Sequence, residues 1–194
     1  MTDLWMETFT GKRVNPLHMY LDDISIDDIA HSLSLICRFN GQCLQFYSVA
    51  EHSIIVADLV HREIYNLSAE LYEGGDAKVK KTCLAALLHD GAEAYIGDIV
   101  RGLKQQDQYK YIREVEKQIM GMIVTKYNCS PADWDLIKYM DNVMLATEAK
   151  VLMPSSGKGW YLPETALRAM PVLPADTTVE QLFLDRFEEY GGKY

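Results

Sequence analysis

No stretch of this chain approaches the ~20 uncharged apolar residues that a membrane helix needs. The first residues carry Asp3 and Glu7 and no apolar run, so no secretory signal is expected. Basic residues are in the minority, with 19 Lys and Arg against 28 Asp and Glu and a formal net charge of −9. A nucleic-acid duplex is therefore not an expected partner, because neutralising its phosphates takes an excess of cationic side chains. A small polyanion would need a locally basic pocket or a metal. Cysteine is scarce, and Cys37, Cys43, Cys83 and Cys129 include no pair at CxxC spacing, which leaves a zinc ribbon or thioredoxin-type site without support. Cys83 lies in the apolar run Cys83-Leu84-Ala85-Ala86-Leu87-Leu88 and reads as a buried free thiol. Reduced cysteines in a cytoplasmic protein are the expectation. The Gly-x-x-x-x-Gly-Lys-Ser/Thr phosphate loop is missing, which excludes a P-loop kinase. No Gly-x-Ser-x-Gly elbow supports a serine hydrolase.

What remains is an ordinary globular composition, 48% hydrophobic and 24% charged over 194 residues, enough for one domain with a sizeable core. Most of the chain reads as helix. Three starts have the capping-box form, a Ser followed three residues later by an acid. Ser25 with Asp28 opens Ile26 to Cys37, and Ser48 with Glu51 opens Val49 to about Tyr65. Ser130 with Asp133 opens a helix to about Val151, with Pro131 at the favoured first position. Further helices are predicted over Ala77 to Asp90, Asp107 to Tyr127 and Thr178 to Tyr190. Trp5 to Phe9 and a piece around Val14 predict a small hairpin across Thr10-Gly11. Residues 153–176 hold four of the six prolines, so they form no long helix. Trp160, Tyr161 and Leu162 in that segment predict that it packs back over the bundle.

Three polar positions point inward. His52 shares a helix face with Ile55, Val56 and Leu59. His89-Asp90 ends a very apolar helix; about 0.4 such dipeptides are expected by chance at this composition, and the plain alternative is a hydrogen-bonded pair at a helix C-terminus. Asp141 lies on the face of Ile137, Met144 and Leu145. A buried unpaired carboxylate costs several kcal/mol, so Asp141 must be paired, protonated or metal-bound. Two imidazoles and two carboxylates suit one divalent transition metal, Co, Mn, Zn, Ni or Fe, over Mg. His18 reads as a neighbour of the site, His31 as structural on its helix or as another such neighbour, and His61, nine residues past His52, as solvent-facing.

The order His52…His89-Asp90…Asp141 resembles the HD-domain metal-dependent phosphohydrolase superfamily. Phe46-Tyr47-Ser48-Val49-Ala50-Glu51-His52-Ser53 is similar to the first-histidine helix of its bacterial 5′-deoxynucleotidase branch. Leu87-Leu88-His89-Asp90-Gly91-Ala92-Glu93-Ala94-Tyr95-Ile96-Gly97-Asp98 is similar to that branch's HDxxE…GD segment. The resemblance spans about Ile24 to Leu152. It implies a mainly all-α HD-domain bundle over 1–194, with its core at about 24–152 and the Pro-rich segment 153–176 packed on it. It implies His52, His89, Asp90 and Asp141 as metal ligands, Glu93 as the catalytic carboxylate, and Asp98 as a contact to the sugar or to the nucleophilic water. Arg38 would hold phosphate, and Lys104 would reach additional phosphates. The family often has Arg-Trp where this chain has Arg38-Phe39.

The implied activity is hydrolysis of the 5′ phosphoester of a deoxyribonucleotide. A monophosphate would yield nucleoside and phosphate, and a triphosphate such as dATP would yield nucleoside and triphosphate, as in phage dATP triphosphohydrolases. The chemistry is consistent. A metal acidifies its water and neutralises oxyanion charge, a guanidinium forks onto phosphate oxygens, and an unligated carboxylate moves protons. The alternatives are a phosphodiesterase acting on a signalling nucleotide and a regulatory HD domain that only binds one. A homo-oligomer is expected from the resemblance.

Overall fold

The computed structural model describes residues 4–66, 75–129, 131 and 133–194. Two short strands, β1 (Met6–Glu7) and β2 (Arg13–Val14), pair antiparallel with Met6 opposite Val14. They form the predicted hairpin, and Gly11 at φ 80° makes its turn. All the remaining regular structure is helical: α1 (Ile26–Leu35), α2 (Val49–Asn66), α3 (Gly75–Leu87), α4 (Glu93–Ile96), α5 (Arg101–Lys104), α6 (Lys110–Tyr127), α7 (Trp134–Leu152) and α8 (Val179–Glu189), with a few 3₁₀ turns between them. None of these helices is long and apolar enough to cross a membrane.

Helix α2 is the central element, and α1, α3, α7 and α8 all pack against it. Its sequence explains why. Val49, Ala50, Ile54, Val56, Ala57 and Val60 are fully buried, and Ile55, Leu59 and Ile64 nearly so. A helix apolar nearly all round can be stable only inside other helices. The start of α2 is the capping box that the sequence predicts. The Glu51 backbone N–H donates to Ser48 Oγ at 3.1 Å, and the Ser48 N–H donates back to Glu51 Oε2 at 2.7 Å.

The box predicted at Ser25 does not form. Ser25 is the residue before α1 but makes no side-chain cap. Asp28 instead accepts from the Thr10 N–H at 2.7 Å and the Thr10 hydroxyl at 3.0 Å. A carboxylate that can hold the hairpin turn by two hydrogen bonds is better satisfied there than on the helix end. At α7, Asp133 is itself the cap and accepts from the Leu136 N–H at 2.8 Å; Ser130 lies outside the described residues.

Helix α8 lies across α1, α2 and α3. Phe183 and Phe187 are fully buried, and Asp58 of α2 accepts from Arg186 Nε at 2.9 Å and the Tyr190 hydroxyl at 3.0 Å. This docking changes the position of His61. It is half-buried rather than solvent-facing, with its ring 4.7 Å from Tyr65 and 5.9 Å from Tyr190. A helix arriving from 118 or more residues downstream cannot be seen in the periodicity of α2. Along the Pro-rich segment, the Leu167 N–H donates to Thr147 Oγ1 at 2.9 Å. Leu167, Met170 and Leu173 pack against the core, and Trp160 meets Phe39 edge-on at 6.0 Å.

Candidate active site

Four elements converge at one end of the bundle. Helix α2 contributes His52, the turn after α3 contributes His89 and Asp90, and α7 contributes Asp141. The loop after α1 contributes Arg38. His52 Nε2 lies 3.3 Å from Asp141 Oδ1 and 3.8 Å from Asp90 Oδ2. His89 Nε2 lies 3.3 Å from Asp90 Oδ2 and 4.0 Å from Asp141 Oδ1. Among the described residues, His52, His89 and Asp90 each bring a ligand atom within 4.8 Å of one another, and Asp141 falls outside that group.

The outer nitrogens of both rings are occupied. His52 Nδ1 bonds Glu148 Oε1 at 2.6 Å, and His89 Nδ1 bonds the Ala86 carbonyl at 2.7 Å. Both acceptors require the ring proton on Nδ1, which leaves each Nε2 lone pair aimed into the centre. Both Nε2 atoms are buried without a hydrogen-bond partner. A ring fixed by an outer carboxylate or carbonyl, with a bare inner nitrogen, is the usual arrangement of a metal-binding histidine. The electrostatics agree. Burial and Arg38 push the His52 pKa down, yet Glu148 and Asp141 outweigh them and raise it to about 9. The carboxylates demand positive charge at that nitrogen, which a proton or a divalent cation supplies. Asp141 is held well below the usual range, with His52, His89 and Lys138 overcoming the cost of burial. Asp90 is lowered in the same way by His89, His52 and Arg38. The residues present therefore fit a divalent metal.

Glu148 is the residue that sequence reasoning missed. It is fully buried on α7 and ties two site residues together. One oxygen receives His52 Nδ1, and the other accepts from Arg38 Nε at 3.0 Å. A signal existed: Glu148 lies seven residues, about two turns, beyond Asp141 and on the same helix face. Arg38 is itself buried, and its Nη1 lies 3.5 Å from Asp90. Burial works against its charge, and Glu148 and Asp90 more than restore it.

Glu93 opens α4 and is buried, with Oε2 unpaired. Burial first, then the charges of Asp90 and Asp98, raise it to about 9 against the pull of Lys104 and Arg38. Ser32 of α1 helps to place this turn by donating to the Ala94 carbonyl at 3.2 Å. Asp98 follows Gly97, whose φ of 79° and ψ of 161° belong to a region open essentially only to glycine. Asp98 is partly buried and raised, burial being the largest cause. Lys104 comes to this group too, but its ammonium is already engaged, 2.6 Å from Glu116 and 3.6 Å from Glu93. His31 stacks on Phe9 at 3.7 Å and bonds Glu180 at 3.0 Å, a structural role. His18 lines a different cleft of about 560 Å³, with Leu17, Met19, Ile119 and Met122, that contains none of the site residues.

The geometry now stands beside known proteins. A family model described as 5′-deoxynucleotidase YfbR-like matches residues 28–145. The chain belongs to the YfbR-like family. That family is of the HD-domain hydrolase type, whose members depend on a metal. The uncharacterized protein YfdR of Escherichia coli K12 is 35% identical over 189 residues, covering 95% of this chain and 94% of YfdR. An uncharacterized protein of Rhodobacter capsulatus is 36% identical over 106 residues, covering 54% of this chain and 48% of that protein. The YfbR-like match runs from α1 into α7 and so includes all the residues of the converging site except Glu148, three residues past its end.

Proposed function

We propose that this protein hydrolyses the 5′ phosphoester of deoxyribonucleotides, with one divalent transition metal held by His52, His89, Asp90 and Asp141. The observation that carries the reading is the pair of buried, unpartnered Nε2 atoms facing two carboxylates within 4.0 Å. A stable structural core has no use for such atoms, since each costs free energy unless a cation takes its lone pair. When bound, the metal supplies a nucleophilic water at neutral pH and neutralises charge on the phosphoryl oxygens.

The chain's own groups do the rest. Arg38, oriented by Glu148, grips phosphate oxygens with its free N–H groups. Glu93 holds a proton at neutral pH and hands it to the departing 5′ oxygen. Asp98, on the far side of the Gly97 bend, contacts the sugar or orients the water. Lys104, 3.6 Å from Glu93, is the residue assigned to the additional phosphates of a triphosphate.

Two cleavage patterns share this chemistry. A monophosphate gives nucleoside and phosphate, and a triphosphate gives nucleoside and triphosphate. The experiment is a panel of deoxynucleoside mono- and triphosphates incubated with metal-loaded protein, with products separated by chromatography. Release of nucleoside is the expected result, and the accompanying phosphate or triphosphate identifies the pattern. Metal-loaded protein that releases nucleoside from neither class refutes the proposal.

A further inference from the structure

Cys37 and Cys43 bracket the loop that carries Arg38. Their sulfurs lie 3.5 Å apart, and both side chains are half-buried. The Cys43 thiol also donates to the Arg38 carbonyl, with the sulfur 3.6 Å from the oxygen. Between the two cysteines the chain reverses sharply. Phe39, Asn40 and Gly41 have φ of 55°, 52° and 73°, and the Gln42 N–H donates to the Phe39 carbonyl at 3.0 Å. Successive non-glycine residues at positive φ are strained and persist only where the surroundings hold them.

Here the surroundings do so on both flanks. The Arg38 N–H donates to the Tyr47 carbonyl at 2.9 Å, and the Val49 N–H donates to the Ile36 carbonyl at 3.0 Å. The Leu44 N–H donates to the Leu152 carbonyl at 2.8 Å. The two thiols are therefore kept together by fixed backbone and not by a chance meeting of mobile side chains. Cys83 and Cys129 are buried in the hydrophobic core. Nothing in the proposed hydrolysis uses Cys37 or Cys43.

We propose that Cys37 and Cys43 are a reversible disulfide pair that closes the loop around Arg38 when the protein meets hydrogen peroxide. The thiolate of one cysteine attacks a peroxide oxygen. An S–O bond forms, the O–O bond breaks, and hydroxide leaves to take up a proton as water. The thiol of the other cysteine then attacks the sulfenic sulfur, forms the S–S bond and expels a second water. The two sulfurs lose two electrons, and the peroxide gains them. The sulfurs need to approach by only about 1.5 Å for this bond. Burial, and then the neighbouring Cys37, raise the Cys43 thiol, so the pair reacts more slowly than an activated sensor thiol. Closure removes the hydrogen bond from Cys43 to the Arg38 carbonyl and draws the loop toward Cys37. Arg38 moves with it.

The test starts with native protein exposed to hydrogen peroxide. Remaining thiols are alkylated under denaturing conditions, and the chain is digested with trypsin. Cleavage after Arg38 separates the two cysteines, so a disulfide joins two peptides that would otherwise be independent. The expected result is a linked Cys37–Cys43 pair that dithiothreitol releases and that Cys43→Ser abolishes. Independent alkylation of both cysteines after oxidation overturns the proposal, as does linkage of Cys37 to Cys83, Cys129 or a second chain. This reading needs no variant to fold, because the wild-type protein alone supplies it.

The consequence for Arg38 rests on the nucleotide reading and has its own measurement. KM for the hydrolysed deoxynucleotide rises in the cross-linked protein and returns on reduction. An unchanged KM in fully cross-linked protein overturns the link to Arg38. Absence of turnover in the reduced, metal-loaded protein refutes the nucleotide reading while the peptide result still decides the disulfide.

Discussion

Glu148 offers the sharpest perturbation, because one buried carboxylate holds both His52 and Arg38, the proposed metal ligand and the proposed phosphate contact. It accepts from His52 Nδ1 at 2.6 Å and from Arg38 Nε at 3.0 Å. Each is a charge-assisted hydrogen bond worth about 1.5–3 kcal/mol. In Glu148→Ala the Arg38 guanidinium stays buried with its main partner gone. Breaking a buried pair in this way costs about 3–5 kcal/mol, a large share of a total stability of about 5–15 kcal/mol. For a chain of this size each kcal/mol lowers Tm by about 2–4 °C, so a drop of about 6–20 °C is expected. Glu148→Gln is subtler. Its amide has one acceptor oxygen and one donor NH₂, and both native partners are donors, so one contact becomes donor against donor. If the His52 contact is the one spoiled, the ring loses its enforced tautomer and metal affinity falls about 10–100-fold. Thermal melts and metal titration check both variants. A Glu148→Ala protein that melts within about 2 °C of wild type and keeps full metal content would refute the role given to this residue.

The ligand set, the phosphate grip, the proton carrier and the bend before Asp98 can each be tested separately. His89→Ala or Asp141→Ala should lose both retained metal and turnover; full occupancy by elemental analysis in either variant would remove that residue from the set. Arg38→Lys should lose about 1–3 kcal/mol of transition-state stabilisation, because an ammonium cannot reproduce a forked contact, and an unchanged kcat/KM would show that Arg38 does not touch phosphate. Glu93→Ala should lose about 10²–10⁴-fold in kcat with metal content intact, whereas near-normal kcat would transfer the proton role to Asp98 as the next residue to test. Gly97→Ala should cost about 1–3 kcal/mol from backbone strain alone, since no atom lies within 4 Å of the added Cβ, and an unshifted melt would contradict the conformation described.

What the sequence reveals of this site depends on whether the signal is local. The Ser48/Glu51 box and the apolar face of α2 are both encoded within a few residues, so the start of the helix and the inward aim of His52 can be read directly. Asp141 is legible for the same reason. Glu148 carries the same periodic signal but shares α7 with other charged residues, and nothing local distinguishes a buried bridging carboxylate from a solvated one. Its meaning appears only when Arg38, 110 residues earlier, arrives beside it. Asp28 shows the opposite error. Its spacing from Ser25 suits a cap, and a distant partner, Thr10, outcompetes the local one. His61 turns from surface to half-buried by the same kind of long-range event, the docking of α8. The return of Trp160 to Phe39 is likewise invisible to spacing, and the contacts of this segment with the core come from Leu167, Met170 and Leu173, whereas Tyr161 is fully exposed.

The charge balance explains how so acidic a chain can accept an anionic substrate. Asp90, Asp141 and Glu148 are each held ionised by their neighbours. Arg38 is the permanent buried cation among them, since His52 gives up its extra proton when it binds a metal, while Lys138 is largely exposed and screened, and Lys104 is spent on Glu116. The three carboxylates exceed the guanidinium by two negative charges. A divalent cation cancels that excess, and a monovalent one does not. Ionising Glu93 would add a further negative charge to a buried group already short of cations, which is why Asp90 and Asp98 stand next to burial among the causes that hold its proton in place. Filling the ligand set answers the same demand, so a bound metal loosens the proton that Glu93 holds and readies it for transfer. On the proposed reading, a phosphate takes up the Arg38 donors that Glu148 and Asp90 do not use.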